Sequence, residues 1–487
     1  MMSSNQIFER ARQSRDPRFD GKFFVGVRTT GIYCRPICPA NTPKSENVSF
    51  YRTAAAASEA GFRPCLRCRP ECAPGTPAWA GTCTTVQRGL RLIAEGALDE
   101  GNVETLAERL GVTSRHLRRL FTKHLGASPL AVAHTQRLHF AKNLIDDTGL
   151  SMHDIAIAAG FGSTRRFNDT FRKTYGRTPR ELRKGRDAEV TATALTVSLP
   201  YRAPFDWDRM LAFFALRATP GVEHVSDDRY LRTVEIGDER GVVDVRDAGG
   251  KLELRLHGIG TSSLIAVVQR LRGVFDLDAS ASDVHEVLSK DAFLRPLLKN
   301  NPGVRVPGAW DGFELTVRAI LGQQVSVKAA TTLAGRIADR YGEKIDELID
   351  GLAGAPDRLF PGPHKLMRAR LESLGIIGSR SNTIRALSRA VSAGRISFDA
   401  AQDPEDFRRT LMSIKGIGDW TADYVAMRAL KNPDAFPASD LGLLRAFDAP
   451  RRVRLKPSQL KSRAEAWRPW RAYAALLLWG SDDGAGG

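Results

Sequence analysis

Six cysteines are the residues with the clearest capacity for chemistry, and all of them lie within the first 83 residues. Four of them form two close pairs, Cys34-x-x-x-Cys38 and Cys65-x-x-Cys68. Paired thiolates at these spacings complete tetrahedral zinc sites, so we expect one Zn²⁺ per chain on these four side chains. The pattern by itself fits a reactive thiolate, and it equally fits a structural zinc that replaces a core too small to form.

A glycine-rich hairpin is the second candidate site. Gly416-Ile417-Gly418 stands between a predicted helix end and a predicted helix start, and an acidic residue, Asp440, follows about twenty residues later. Glycines allow backbone amides to approach a phosphate closely, and the N-terminus of the second helix adds partial positive charge. The pattern therefore indicates a place where a nucleic-acid backbone binds.

A helix-turn-helix pattern occurs twice between these two candidates. In the first copy, an amphipathic helix at 103–110 precedes a basic helix at 114–121, whose predicted N-cap is Thr113. In the second copy, Ser163 caps a basic helix at 164–173. A short helix, a glycine turn and a basic helix are typical of DNA-binding units.

The charge of the chain supports a polyanionic partner. Its 72 Lys and Arg outnumber its 55 Asp and Glu, which gives a net charge of +17. Between residues 101 and 186 there are sixteen basic residues and seven acidic ones. Concentrated positive charge is typical of a surface that faces phosphate, so we expect double-stranded DNA as the partner.

Separate structural elements must position these sites, and the chain divides into segments of different texture. Period-two alternation, as in Lys251–Leu256, predicts strands in the third segment, whereas the second and fourth segments have helical periodicity. We therefore predict a multidomain α+β protein. Its predicted boundaries are 1–78 for a small α/β zinc module, 84–187 for an all-α double helix-turn-helix domain, 191–287 for an α+β lobe, 288–480 for an all-α hairpin domain and 481–487 for a disordered tail.

The apolar stretches predict no membrane partner. The first twenty residues are polar and charged, and the most apolar segment near the end, Ala472–Trp479, is too short to span a bilayer. We expect a cytoplasmic, nucleoid-associated protein whose thiols stay reduced.

The residues around the cysteine ligands carry a family resemblance. Phe24–Pro36, Glu46–Tyr51 and Gly61–Cys65 resemble the N-terminal domain of the Ada adaptive-response proteins, over nearly all of the first seventy residues. The resemblance implies that Cys34 takes a methyl group from a methylphosphotriester in DNA, while the other three cysteines stay as ligands. Methylating one thiolate makes the cluster less anionic, so phosphate is repelled less and DNA affinity rises.

Three arginines next to the ligands are candidate phosphate contacts: Arg35, Arg67 and Arg69. A zinc-bound thiol stays deprotonated at neutral pH, and the thiolate is the reactive form. Cys72 and Cys83 fall outside the two pairs, and we expect neither to bind the metal.

The two helix-turn-helix copies, joined by a helical stretch at Leu130–Ile145, resemble the AraC-type DNA-binding domain. The match is closest in Ile155–Phe161 and Phe171–Pro179. The resemblance implies that promoter DNA is bound and that RNA polymerase is the partner in activation; the alternative is a DNA-affinity arm without sequence preference. The side chains expected near DNA are Arg115, Arg118, Arg165 and Arg166.

The C-terminal half resembles the helix-hairpin-helix base-excision glycosylases, in particular the AlkA type of 3-methyladenine glycosylase. Besides the hairpin and Asp440, the match includes Pro204–Trp207, Arg318–Ser326 and Trp467–Ala474. It implies a TBP-like sheet lobe that packs on an α-helical catalytic region.

By this resemblance Asp440 is the catalytic carboxylate. It would stabilise the positive charge that builds on the sugar as the N-glycosidic bond breaks, and it would orient the attacking water. An alkylated purine is already cationic, so no second carboxylate is required as an acid. The alternative is that Asp440 only caps a helix at 441–447, and Asp434 and Asp448 are weaker rivals for the catalytic role.

Four more positions follow from the same resemblance. Trp420, Tyr424 and Trp479 match aromatic positions of the base pocket, where cation–π contact with a cationic base contributes roughly 0.5–2 kcal/mol. Trp420 also occupies the position of the catalytic lysine in bifunctional relatives, and an indole forms no Schiff base, so we expect no lyase activity. Gln324 stands where relatives place an apolar wedge, and glutamine stacks less well in the gap left by a flipped base.

Together these features predict an adaptive-response protein. It would combine a monofunctional glycosylase for alkylated bases with a methylphosphotriester sensor that activates transcription. The alternative is a damage-responsive regulator whose glycosylase half is catalytically silent. An O6-alkylguanine transferase like full-length Ada is excluded, because that activity needs a reactive cysteine in a Pro-Cys-His-Arg context and no cysteine follows Cys83.

Overall fold

The computed structural model describes residues 4–73, 84–99, 101–183, 194–345, 352, 354–399, 402–448 and 455–482. Within these residues the strands are β1 (Phe24–Val27), β2 (Ile32–Cys34), β3 (Val48–Tyr51), β4 (Arg63–Pro64), β5 (Ala194–Pro200), β6 (Glu223–Val225), β7 (Arg229–Ile236), β8 (Glu239–Asp247) and β9 (Lys251–His257). The helices of the first two predicted domains are α1 (Ser4–Gln13), α2 (Ala54–Glu59), α3 (Thr84–Ala94), α4 (Val103–Arg109), α5 (Ser114–Leu125), α6 (Pro129–Asp147), α7 (Met152–Ala158), α8 (Thr164–Tyr175) and α9 (Pro179–Leu182). Those of the remaining chain are α10 (Trp207–Ala215), α11 (Leu264–Val274), α12 (Ala281–Leu288), α13 (Leu294–Asn300), α14 (Gly312–Leu321), α15 (Val327–Tyr341), α16 (Pro363–Leu366), α17 (Gly378–Ser392), α18 (Pro404–Met412), α19 (Asp419–Arg428), α20 (Leu441–Asp448), α21 (Pro457–Ala464) and α22 (Arg471–Asp482).

The N-terminal module is a small sheet with two helices. Its strands follow the order β3-β1-β2-β4, and β2 pairs with β4 in parallel. A cluster around Phe23 and Val25 and a second around Phe24 and Tyr33 form its small core. The parallel pairing brings two cysteines to the same edge of the sheet, because Cys34 ends β2 and Cys65 directly follows β4.

The helix-turn-helix domain has the predicted pattern of helices and caps. The side-chain oxygens of Thr113 and Ser163 accept hydrogen bonds from the third residues of α5 and α8, which satisfies one free amide in each first turn. Both helices end at a glycine with positive φ, Gly126 and Gly176, which costs a glycine little. Local sequence therefore sets where these helices begin and end.

The third segment forms a five-stranded antiparallel sheet in the order β5-β9-β8-β7-β6. The alternation in β9 is the predicted one, with Leu252, Leu254 and Leu256 buried on one face. Buried ion pairs then join this lobe to α14, where Glu223 lies 2.8 Å from Arg318 and Arg232 contacts Glu314. This network fixes the helix that leads into the loop of Gln324.

The C-terminal helices divide into two apolar clusters. One contains residues of α14, α15, α16, α17, α18 and α19, and the other contains residues of α12, α13, α20, α21 and α22 together with Ala426 and Met427 of α19. The predicted boundary between residues 287 and 288 falls within α12, whose Val284 and Leu288 both belong to the second cluster. At the other end α22 continues to Asp482, two residues into the predicted tail, and the rest of that tail is outside the described residues.

None of the helices in the described part of the chain combines the length and apolar character that crossing a bilayer requires.

Candidate active site and metal centre

The hairpin between α18 and α19 has one position, Gly416, that favours glycine. Gly416 has a φ of +96°, and a Cβ at this position would lie 2.2 Å from Oγ1 of Thr383. The hairpin is held to its neighbours by hydrogen bonds, since Thr383 Oγ1 donates to the Lys415 carbonyl at 2.9 Å and Gln323 Nε2 donates to the Gly416 carbonyl at 2.9 Å. The free amides at the start of α19 are thus presented on a rigid turn.

The carboxylate of Asp440 is fixed by three N–H donors. Trp420 Nε1 donates to Oδ2 at 2.6 Å, Trp479 Nε1 donates to Oδ1 at 2.9 Å, and the amide of Leu443 donates to Oδ1 at 3.0 Å. The last bond is a helix cap, so the capping interpretation is correct as far as it goes. Because the side chain is only partly buried and both oxygens accept hydrogen bonds, the structure holds a partly accessible carboxylate in one orientation.

The rival carboxylate of Asp434 has different surroundings. Its oxygens contact the guanidinium groups of Arg468 and Arg471, the second at 2.8 Å. A carboxylate neutralised by two arginines is a poor stabiliser of further positive charge. The side chain of Asp448 is not among the described ones.

The three predicted pocket aromatics form one wall. The rings of Trp420 and Tyr424 stack with centroids 5.2 Å apart and an angle of 10°, and the ring of Trp479 lies 6.3 Å from Tyr424 at 63°. All three are partly buried and so present area to a ligand. Their arrangement is suited to hold a planar base, most strongly a cationic one.

Arg428 extends this wall and was missed by the sequence-based reasoning. It is 4% exposed, its Nη1 donates to Tyr424 Oη at 2.6 Å, and its guanidinium lies 4.9 Å from the ring centre of Phe213. Trp420, Tyr424 and Arg428 follow one another at intervals of four, which places them on one face of α19. This four-residue spacing is the feature of the sequence from which Arg428 could have been predicted to lie beside the two aromatic residues.

Gln324 lies in the exposed loop between α14 and α15. Its φ is +56°, an uncommon conformation for a residue other than glycine, and such outliers cluster at functional sites. The neighbouring Gln323 side chain binds the hairpin, so the loop and the hairpin lie side by side. The next residue, Val325, is exposed as well, with a relative accessibility of 36%.

The four paired cysteines come together as predicted. The sulfur atoms of Cys34, Cys38, Cys65 and Cys68 all lie within 4.8 Å of one another. Tetrahedral Zn²⁺ with Zn–S bonds of about 2.3 Å places its sulfurs about 3.8 Å apart, so the donor set and its spacing fit zinc.

The four thiols differ in accessibility. Cys65 and Cys68 are buried, whereas Cys34 and Cys38 are partly exposed. Cys72 lies apart from the cluster, with its Sγ 3.6 Å from Oδ1 of Asn143, and burial raises its pKa to about 11. A thiol with this pKa is neutral at pH 7. Cys83 is outside the described residues.

The arginines predicted to contact phosphate near the cluster have different environments. Arg35 is held within the protein, because its Nε donates to Asp20 Oδ1 at 2.8 Å and its Nη1 donates to the carbonyl of Cys68 at 3.2 Å. These hydrogen bonds join Arg35 to the loop that carries Cys68. Arg69 is also paired, with Asp146 and Glu71, whereas Arg67 is exposed.

The predicted DNA-facing arginines of the second domain are all exposed. They lie in the first half of α5 and α8, the second helix of each helix-turn-helix copy, and are Arg115, Arg118, Arg165 and Arg166. Arg118 forms an ion pair of 2.9 Å with Glu104, but both side chains are about half exposed, so the pair is weak and exchangeable.

Four family models match successive stretches of the chain. They are the metal binding domain of Ada at residues 8–71, a helix-turn-helix domain at 106–185, the AlkA N-terminal domain at 196–311, and the HhH-GPD superfamily of base excision DNA repair proteins at 317–472.

Relatives match the same regions. The "Probable bifunctional transcriptional activator/DNA repair enzyme AlkA" of Mycobacterium tuberculosis is 42% identical over 96% of this chain and 95% of its own length. DNA-3-methyladenine glycosylase 2 of Escherichia coli is 34% identical over 58% of this chain and 96% of its own. The fold of 60% of this chain is that of the 3-methyladenine DNA-glycosylase of Archaeoglobus fulgidus, with a TM-score of 0.52, 21% identity and 99% of that chain covered. Four domains in one order and near-complete coverage of one relative show that this chain belongs to the family of bifunctional transcriptional activator/DNA repair proteins that join an Ada-type metal-binding domain to an AlkA-type helix-hairpin-helix domain.

Proposed function

We propose that this chain hydrolyses the N-glycosidic bond of alkylated bases in double-stranded DNA, the activity for which its E. coli relative is named. The observation that carries the proposal is the Asp440 carboxylate, held by two indole N–H groups beside a stacked aromatic pair. The same protein senses methylphosphotriesters through its N-terminal cysteines and activates transcription through its helix-turn-helix domain.

The chemistry follows from charge. As the bond from the sugar to a cationic base breaks, its electron pair leaves with the base and positive charge builds on the sugar. The fixed carboxylate of Asp440 lowers the energy of that state and aligns a water molecule for attack. Water then adds to the sugar carbon and loses a proton, which leaves a free neutral base and an abasic site.

Strand cleavage is not part of the proposed reaction. A lyase needs an amine at the position of Trp420 to attack the sugar, and an indole nitrogen has no lone pair for this purpose. The Trp420 N–H is instead donated to Asp440. The product is therefore an intact strand with an abasic site.

Base release from methylated duplex DNA tests the glycosylase. Asp440→Asn should lower release at least about 100-fold, and Asp406→Asn, which removes a largely exposed carboxylate on α18, serves as the control. Asparagine still caps α20, but its amide faces an indole N–H, so a stability cost of about 1 kcal/mol is expected and thermal unfolding should accompany the assay. Equal release by wild type and Asp440→Asn would assign the chemistry to another residue, and no release by either would favour the silent regulator.

For the sensor, the accessible thiols support Cys34 as methyl acceptor. A bound Zn²⁺ would keep the four thiols deprotonated. The Sγ of Cys34 attacks the methyl carbon, the carbon–oxygen bond breaks, and the phosphodiester leaves with the electron pair. The products are S-methylcysteine and an ordinary DNA phosphate.

Transfer of a labelled methyl group from DNA that contains methylphosphotriesters tests this step. Cys34→Ser should abolish transfer, whereas Cys38→Ser, which removes one ligand equally, should retain part of it. Persisting transfer in Cys34→Ser contradicts the assignment. As an activator the protein would contact RNA polymerase, and run-off transcription before and after methylation measures that effect.

A further inference from the structure

Residues 20–22 of the N-terminal module lie against the glycosylase half. The Nζ atom of Lys22 donates hydrogen bonds to Ser282 Oγ and to Asp283 Oδ1, both at 2.5 Å. Both acceptors lie in the first turn of α12, and the side chains of Lys22 and Asp283 are mostly buried. This contact joins the metal-binding module to the second apolar cluster of the C-terminal helices.

Asp20 makes the other contact of this segment, and it binds groups of both halves. Its carbonyl accepts a hydrogen bond from Arg202 Nε at 3.2 Å, and its carboxylate accepts one from Arg35 Nε at 2.8 Å. Arg202 is fixed inside the glycosylase half, because its Nη1 donates to the Asp278 carbonyl at 3.2 Å and its own carbonyl accepts from Arg305 Nη2 at 2.6 Å. Since Asp20 and Arg202 are each 6% exposed, a buried path of hydrogen bonds leads from the glycosylase half to Arg35.

Arg35 extends this path into the metal centre. Its Nη1 donates to the Cys68 carbonyl at 3.2 Å, and its backbone amide donates to the Cys68 sulfur at 3.3 Å. It also directly follows Cys34 in the chain, so it is tied to two of the four cysteines. Groups that bind metal ligands from outside the coordination sphere fix the orientation of those ligands, and an N–H donated to a thiolate stabilises its charge. The position of Arg35 therefore affects how tightly the cysteines hold a metal ion.

We propose that the glycosylase half completes the metal centre, with Asp20 and Arg202 as the residues that position Arg35. When this interface opens, Arg35 loses its fixed position and Zn²⁺ leaves faster. Linkage between two sites is reciprocal, so a bound metal ion also stabilises the α12 side of the interface. The inference concerns metal retention and goes beyond the proposed function, because it does not depend on methyl transfer to Cys34.

The rate at which the zinc-loaded, full-length protein loses Zn²⁺ to a chromogenic chelator tests the proposal. Asp20→Asn weakens the contact with Arg35 and should speed zinc loss about 10-fold, since supporting contacts of this kind contribute about 10- to 100-fold to metal affinity. Arg202→Met should speed it about 5-fold, the lower end of the usual coupling between separate sites. Arg229→Met is the matched control, because it removes an ion pair of 3.0 Å with Asp244 inside the sheet lobe, and it should lose zinc at the wild-type rate.

A charge swap at the other contact gives an independent measurement, because Arg202→Met also removes a buried hydrogen-bond donor. Lys22→Glu places two carboxylates face to face and should speed zinc loss about 5-fold. Adding Asp283→Lys to Lys22→Glu restores an ion pair and should return the rate to that of the wild type. Thermal unfolding shows that each variant is folded at the assay temperature. Hydrogen exchange measures the reciprocal effect, since removal of Zn²⁺ should increase exchange of the α12 amides more in the wild type than in Lys22→Glu.

The outcomes distinguish this proposal from general destabilisation and from the proposed sensor. Equal rates of zinc loss from the wild type, Asp20→Asn and Arg202→Met overturn it. Equal acceleration by Arg202→Met and Arg229→Met, with equal loss of thermal stability, also overturns it. A charge swap that fails to restore the rate overturns the role of the Lys22 contact. Slow zinc loss that depends on Asp20 and Arg202, in a protein that transfers no methyl group, supports this inference and contradicts only the sensor.

Discussion

Asp440 combines two roles in one residue, because its carboxylate caps α20 and also receives both indole N–H groups. The two interpretations of this residue are therefore not alternatives. The cap hydrogen bond from Leu443 holds the side chain at the start of α20. The two indole hydrogen bonds hold the carboxylate group in one rotational orientation. Hydrogen bonds to an ionised group contribute roughly 1.5–3 kcal/mol each, so the carboxylate is oriented before substrate arrives.

Trp479→Phe removes one of these donors and keeps an aromatic ring. We expect base release to fall roughly 10-fold, in line with the loss of one hydrogen bond to a charged group. Trp207→Phe is a suitable control, since that indole donates to the Asp228 carbonyl in the sheet lobe, away from the site. Similar losses in both variants would mean that general destabilisation is responsible.

Asp276 makes stability depend on pH in the direction opposite to an ion-paired aspartate. Burial raises its pKa to about 6, against the pull of Arg305. Between about pH 4 and pH 6 the folded state keeps this proton and the unfolded state does not, so its contribution is full below pH 4 and is lost as pH rises through 6.

Asp276→Asn removes this titration, and asparagine tolerates the φ of +51° at this position. We expect the stability of wild type relative to the variant to fall by at most about 3 kcal/mol between pH 4 and pH 7.5. Thermal unfolding of both proteins at four pH values measures the difference. A constant difference across that range would contradict the shifted pKa.

At the scale of elements, the helices α5, α8 and α19 carry the candidate DNA-contacting and base-pocket side chains. In α5 and α8 the caps Thr113 and Ser163 begin each helix just before its exposed arginines. In α19 the hairpin supplies the N-terminus and one helix face carries the aromatic wall. The exposed arginines of α5 and α8 and the Trp420 side chain of α19 therefore lie near the start of their helices, where free amides and the helix dipole favour phosphate.

For α8, Arg165→Ala should weaken promoter binding and reduce the slope of log Kd against log salt by about 1. Arg240→Ala removes the same charge from the sheet lobe, where the side chain pairs with Glu235, and should leave the slope unchanged. Fluorescence anisotropy at several salt concentrations gives both slopes. An unchanged slope for Arg165→Ala would remove that residue from the DNA interface.

At the scale of the whole molecule, the four predicted domains pack into one assembly. A cavity of about 340 Å³ has lining residues from each predicted domain, among them Phe24, Gln136, Arg272 and Tyr473. Arg91 on α3 donates to the carbonyls of Leu430 and Lys431 just beyond the end of α19. The helix-turn-helix domain therefore supports the C-terminus of the helix that carries the base-pocket wall.

Arg91→Ala should reduce stability by about 3 kcal/mol, because two carbonyls lose a charged donor, and it should lower base release through α19. Arg109→Ala removes an ion pair between the same two domains, with Asp399 at 2.6 Å, but this pair is partly exposed and its loss should cost less than about 1 kcal/mol. Thermal unfolding and base release distinguish the two variants. Equal losses of stability and of base release in the two variants would mean that the Arg91 contact contributes no more than the partly exposed Arg109–Asp399 pair.

The sequence by itself determined the features that depend on short spacings. Cysteine pairs, helix caps at Thr113 and Ser163, the alternation of β9 and the glycine hairpin all follow from residues a few positions apart, where backbone geometry decides which side chains meet. The resemblance to known families added the order of the domains and the candidate residues.

The tertiary structure alone decided which distant groups meet. Two of the donors to Asp440 come from Trp420 and Trp479, the Arg428 guanidinium binds carbonyls at residues 307 and 308, and the Arg35 guanidinium pairs with Asp20. No periodicity specifies such contacts, because a hydrogen bond between remote side chains depends on the path of the whole chain. The same holds for α12, which contacts α13 and joins an apolar cluster that also contains residues of α20 and α22.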